Sequence, residues 1–159
     1  RTVRADGGTT TTVRASLLRA PRFPDPETDQ GVHRFRHALV PGATIGDAVR
    51  EGYRINLPER RTTGAGVVAP LVVVDQDAVV VSAVKLADDA SGDVVVRAYE
   101  SRGGRAKAVL TFGFAVASVT VTDLLERPLP DAAVPEREGD AVTVTLRPFE
   151  LVTLRLRRA

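Results

Sequence analysis

From residue 71 to residue 156 the sequence falls into short runs of β-branched and aliphatic residues closed by turn-forming ones, and this punctuation constrains the fold more than any other feature. The runs cover residues 71–74, 79–86, 94–99, 106–112, 117–122, 142–146 and 151–156. Asp75-Gln76-Asp77, Asp88-Asp89-Ala90-Ser91-Gly92 and Arg102-Gly103-Gly104 separate several of them, and these residue types favour turns through local hydrogen bonds or positive φ. In the last two runs Val142, Val144 and Leu146 alternate with Thr143 and Thr145, and Val152, Leu154 and Leu156 alternate with Thr153, Arg155 and Arg157. Such alternation sends one face of a strand to a core and the other to solvent. The fold class predicted is all-β, an antiparallel β-sandwich. The Ala-, Pro- and Glu-rich stretch 129–140 reads as a surface loop between the last strands.

Upstream the pattern changes. Residues 9–18, Thr-rich and then aliphatic, read as a strand whose pairing partner lies outside the chain. Pro21, Pro24 and Pro26 force a polar loop to about Val32, since each lacks an amide donor and restricts the residue before it. His33, Phe35, His37 and Leu39 alternate with Arg34, Arg36 and Ala38, which predicts a strand over 33–39. Ile45, Ala48, Val49 and Tyr53 fall at helical spacing, with Thr44 as cap and Asp47 in the first turn, so one short helix is expected over 44–53. An extended segment 54–57 runs into Pro58, and a domain boundary is placed near Leu57.

Composition narrows the function. At 159 residues the chain has room for one ordinary domain or two small ones, not for a large enzyme. The absence of Cys removes disulfides and thiolate metal sites, and a reducing, cytoplasmic setting is the expectation. A formal charge of +2 with cations spread along the strands argues against nucleic acid as a partner. No stretch approaches the roughly 20 apolar residues of a membrane span. The start lacks both an initiator Met and the apolar core of a signal peptide, which fits a piece of a longer protein.

Candidate sites are few. His33 and His37 are the two histidines, and on a strand they would sit roughly 13 Å apart, too far to share a zinc ion with bonds of about 2 Å. Asp25, Glu27, Asp29 and Gly31 superficially resemble a calcium loop, but Gln30 and Arg36 stand where the EF-hand pattern needs Gly and Glu. Asp88 and Asp89 belong to a hairpin turn rather than to acid/base chemistry. No nucleophile elbow, phosphate-binding glycine loop or Cys nucleophile is present. Tyr53 and Tyr99 sit in apolar patterns and read as core or interface residues. The predicted catalytic and metal residues are therefore none.

Longer motifs point to a family. Ser16-Leu17-Leu18-Arg19-Ala20-Pro21, continuing through Pro24-Asp25-Pro26, Asp29, Gly31, His33 and Phe35 to Ala38-Leu39, is similar to a stretch near the end of bacterial-type α-mannosidases of glycoside hydrolase family 38. Asn56-Leu57-Pro58, the run from Val79 to Leu86, the run from Gly92 to Glu100, and Arg147-Pro148-Phe149-Glu150 resemble the terminal β-domain of the same family in the same order.

The resemblance implies a retaining glycosidase of α-linked mannose. Its N-terminal domain would carry a zinc ion, a carboxylate nucleophile and an acid/base carboxylate flanking the scissile bond. None of those motifs matches this chain, so no cofactor is expected in it and zinc is expected in the catalytic domain. Residues 1–57 would end a large central β-sandwich and residues 58–159 would form a small immunoglobulin-like terminal one. The expected partners are the N-terminal catalytic domain of the same polypeptide and, through it, a mannoside substrate. In the resemblance the stiffened loop 24–32 lies near the catalytic domain, which makes Asp29 and Gln30 candidates for contact with that domain or with sugar, and Gly31 the turn that aims them. The bland reading of the same loop is a solvated connection whose acids cap nearby amides. A stand-alone carbohydrate-binding module and a subunit-contact module of a homo-oligomer are the alternative roles.

Overall fold

The computed structural model describes every residue except Arg1, Arg4, Thr62 and Ala65, and it resolves into two compact units, residues 1–39 and 40–159. In the first unit β1 (Thr2–Val3) and β2 (Thr9–Thr10) pair antiparallel around a turn in which the Gly8 amide donates to Asp6 Oδ1 at 3.0 Å. The strand expected over 9–18 is formed only at Thr9–Thr10, and residues 33–39 adopt no regular structure. A β-former run becomes a strand only where a neighbouring backbone offers it a ladder, and β1 offers one to Thr9 and Thr10 alone.

In the second unit α1 (Ile45–Asn56) starts at a reciprocal capping box. Thr44 Oγ1 accepts the Asp47 amide at 3.3 Å, and the Asp47 carboxylate accepts the Thr44 amide at 2.8 Å. The helix absorbs Arg54–Asn56, expected to be extended, and ends where the Leu57 amide donates to Tyr53 O at 2.8 Å. Pro58 then stops it, because the residue before proline is driven from helical geometry.

The strands that follow are β3 (Val72–Val74), β4 (Val79–Leu86), β5 (Val94–Glu100), β6 (Ala106–Phe112), β7 (Val116–Thr122), β8 (Glu136–Glu138), β9 (Ala141–Leu146) and β10 (Leu151–Arg158). They form two four-stranded antiparallel sheets, in the orders β4-β5-β10-β7 and β3-β6-β9-β8. Each expected run from residue 71 onward is a strand. The unexpected one is β8, which lies inside the predicted loop 129–140. Its Glu-Arg-Glu side chains are all exposed, so it pairs with β9 by backbone alone and carries no apolar alternation to betray it.

The core lies between the sheets. Val94, Val96 and Ala98 of β5 and Leu154 and Leu156 of β10 meet Ala108 and Leu110 of β6 and Val142 and Val144 of β9. Leu110, Leu154 and Leu156 are wholly buried, and each contributes about 1.5–3 kcal/mol relative to exposure. Two outward side chains of the first sheet, Val95 and Thr153, are also buried.

Candidate functional site

The loop singled out in the sequence is a chain of tight local turns. Asp25 Oδ1 accepts the Glu27 amide at 2.9 Å, the Gln30 amide donates to Glu27 O at 3.1 Å, and Gln30 Nε2 donates to Pro26 O at 3.2 Å. Asp29 sits at φ 61° and Gly31 at φ 135°, both positive. Asp29 Oδ2 accepts the Ala20 amide at 3.3 Å, and Asp29 O pairs with His33 Nε2 at 2.9 Å. His33 stacks on Phe35 with ring centroids 6.1 Å apart. Asp29, Gln30 and Gly31 are brought together and exposed, and part of their bonding capacity is used within the loop.

The acids of the second unit are held by donors rather than aimed at a cleft. Glu100, 1% exposed, accepts the amides of Arg102 and Gly103 at 2.8 Å and that of Phe149 at 3.0 Å. The Phe149 amide is the largest influence that holds this carboxyl below its ordinary range, and desolvation opposes it. Glu126, also buried and at φ 65°, meets Lys85 Nζ at 2.5 Å and accepts the Asp88 amide at 2.9 Å, and the Lys85 bond lowers its pKa most. Arg97 reaches Leu124 O at 2.7 Å from the same face. Arg155 bridges Asp93 and Asp89 at 2.7 Å each, and Asp89 is lowered to about 2, first by Ser91 and then by Arg155. These arrangements staple loops to the sheet. A carboxylate saturated by amides or guanidinium has no proton to exchange near neutrality.

Helix α1 is fastened to the sandwich at both ends. Gly46 is buried under Arg102, where a Cβ would lie 3.0 Å from a guanidinium nitrogen; Asp77 bonds Arg102 and lies 3.9 Å from Arg50. At the other end the Tyr53 and Tyr99 hydroxyls are 3.4 Å apart, and Tyr99 is pushed up to about 12, chiefly by burial. A cleft of about 360 Å³ opens between the helix and Tyr99, lined by Val49, Gly52 and Leu57. A second cleft, about 510 Å³, lies under residues 129–136; its two acids face cations, Glu136 with Lys107 at 3.8 Å and Glu150 with Arg147 at 3.1 Å.

Among the described residues no three His, Cys, Asp or Glu side chains are grouped so that they could hold a metal ion. Sequence reasoning missed Glu100 and Glu126 as organising groups. Glu100 only ends the run from Gly92 and Glu126 stands in no motif, and their partners are up to 49 residues away.

A family model described as the glycosyl hydrolases family 38 C-terminal beta sandwich domain matches residues 78–154. The chain is 33% identical over 151 residues to human alpha-mannosidase 2C1, an alignment covering 89% of this chain and 14% of that protein. It is 28% identical over 170 residues to the alpha-mannosidase of Saccharomyces cerevisiae, covering 91% of this chain and 16% of that one. Alpha-mannosidase G of Dictyostelium discoideum is 28% identical over 162 residues, covering 88% and 14%. The chain thus spans only 14–16% of the length of these relatives.

Proposed function

We propose that the chain is the non-catalytic C-terminal portion of an α-mannosidase of glycosyl hydrolase family 38, whose C-terminal β-sandwich domain matches residues 78–154, and that it is built to support an N-terminal catalytic domain of the same polypeptide. The observation that carries this reading is alignment along 89% of the chain with a relative of which it makes up 14%. The chemistry agrees: Glu100 and Glu126, the buried acids, are spent on amides and on Lys85 and are not poised for proton transfer. The first unit supports it as well, since Val13, Phe23, Val32 and Leu39 are each at least 87% exposed, a surface that needs a further body to cover it.

In this reading residues 1–57 end a central β-sandwich and residues 58–159 form the terminal one. The zinc and the paired carboxylates of a retaining mannosidase lie upstream, and the setting is cytoplasmic, which suits a chain without cysteine. Asp29 and Gln30, aimed by Gly31, present themselves to the catalytic domain or to bound sugar. No helix among the described residues is long and apolar enough to cross a membrane.

The test is to express the full-length gene and the 159-residue chain side by side and assay an aryl α-mannoside with added zinc. The parent is expected to turn over and the chain to be inert. Zinc-dependent turnover by the pure chain, or an upstream gene sequence with no glycosidase activity, sinks the proposal.

A further inference from the structure

Phe149 combines a left-handed backbone with an exposed ring. It stands at φ 58°, third in a turn closed by the Glu150 amide donating to Arg147 O at 3.0 Å, with Pro148 before it. That position favours glycine, because a Cβ crowds the left-handed backbone. The sequence places a phenyl ring there instead, and the ring is 72% exposed. Its tip rests over Gly103, where a Cβ would come within 2.8 Å of Cζ, and the buried Glu100 carboxylate fixes the amide from beneath. Backbone strain is thus kept in order to display a ring, a pattern that marks functional contacts.

The ring does not stand alone. Leu151, two residues on and 44% exposed, is register-paired with Tyr99, whose hydroxyl meets that of Tyr53, and the adjoining cleft reaches Leu57 at 64% exposure. Beside this band Arg147 pairs with Glu150 and Arg102 with Asp77. The relatives carry more than four fifths of their length outside the part that aligns with this chain, which supplies a covalently linked occupant.

We propose that Phe149, Leu151, Tyr99, Tyr53 and Leu57 form the face on which the upstream part of the parent polypeptide is seated, with Phe149 as its anchor. This inference rests on reading the chain as the end of a longer glycosidase.

The decisive variant is F149G, made both in the 159-residue chain and in the full-length polypeptide, with F149L as a variant that keeps an apolar side chain. In the isolated chain glycine suits the local backbone, so the melting temperature holds or rises by a few degrees. In the full-length protein F149G lowers the melting temperature and speeds protease cleavage upstream of residue 72 by about tenfold, as loss of an interface anchor does, while F149L lies between. Equal losses of stability in both contexts would make the ring a support of its own domain and overturn the inference. An unchanged full-length protein would overturn it too, as would dimerisation of the isolated chain that F149G abolishes while the full-length protein is untouched. Mannosidase activity is scored separately: a full-length protein that lacks it but shows the selective F149G defect removes the mannosidase reading and leaves the seating face standing.

Discussion

The Glu100 carboxylate accepts the Phe149 amide at 3.0 Å, and through that bond one buried side chain joins the turn after β5 to the turn before β10. The same carboxylate holds the amides of Arg102 and Gly103, while the Glu100 amide donates to Glu150 O at 3.0 Å. These amides have no strand partner, and a buried N–H left without an acceptor is costly. E100A is therefore expected to lower the melting temperature by roughly 10 °C. E100Q should fall between E100A and wild type, because its amide offers one acceptor and turns a donor toward an N–H. Calorimetry of the isolated chain checks this, and an E100A variant that melts with wild type contradicts it.

Acid should destabilise the domain by the same route. Glu100, Glu126, Glu150, Asp123 and Asp89 all have pKa values lowered in the folded chain, Asp89 to about 2. A carboxyl depressed on folding contributes stability above its unfolded pKa, near 4, and that contribution disappears as pH falls through the folded value. Lys85, Arg147 and Arg155 are raised, so their contributions are lost only at strongly alkaline pH. The urea midpoint is expected to stay level from about pH 6 to 8 and to drop below about pH 4, with buried Glu100 and Glu126 dominating over the exposed pairs. A midpoint at pH 3 equal to that at pH 7 would exclude this linkage.

What the sequence discloses follows from how each feature is encoded. The strands from residue 72 onward are legible because their inward residues, such as Val142, Val144 and Leu146, repeat with period two against a buried face. Helix α1 is legible from Thr44 and Asp47, which close its capping box. Residues 33–39 carry the same alternation as a strand, yet alternation records only an amphipathic face and not the presence of a neighbour to pair with. The edge strand β8 and the roles of Glu100 and Glu126 are illegible for the opposite reason, since they depend on backbone partners that only the tertiary fold brings near.

The core offers a direct check of the sandwich. Leu154 is wholly buried on central strand β10, facing Leu110 and Val142 of the opposite sheet within one cluster. Truncation to alanine removes buried methyl groups and leaves a cavity between two rigid sheets, so L154A should cost about 2–5 kcal/mol. T143A, on β9 of the opposite sheet and not among the core residues, should change stability by no more than about 0.5 kcal/mol. Equal effects at both sites would be incompatible with a core between the sheets.

The presenting loop is tested by separating charge from backbone. Asp29 at φ 61° tolerates that geometry better than most residues, and its Oδ2 accepts the Ala20 amide at 3.3 Å, so alanine there both strains the turn and releases an amide. Asparagine keeps an acceptor and the same backbone preference while removing the charge. If Asp29 faces the catalytic domain or bound sugar, D29N in the full-length enzyme should raise KM or lower kcat/KM by about threefold to tenfold, with the melting temperature unchanged. Q30A should act in the same direction and more weakly, since Gln30 Nε2 already donates to Pro26 O at 3.2 Å and one donor is spent within the loop. In the isolated chain, where both residues are exposed, neither change should move stability by more than about 0.5 kcal/mol. Wild-type kinetics for both variants, on natural and synthetic mannosides alike, would reduce residues 24–32 to a connection whose acids merely cap its own turns.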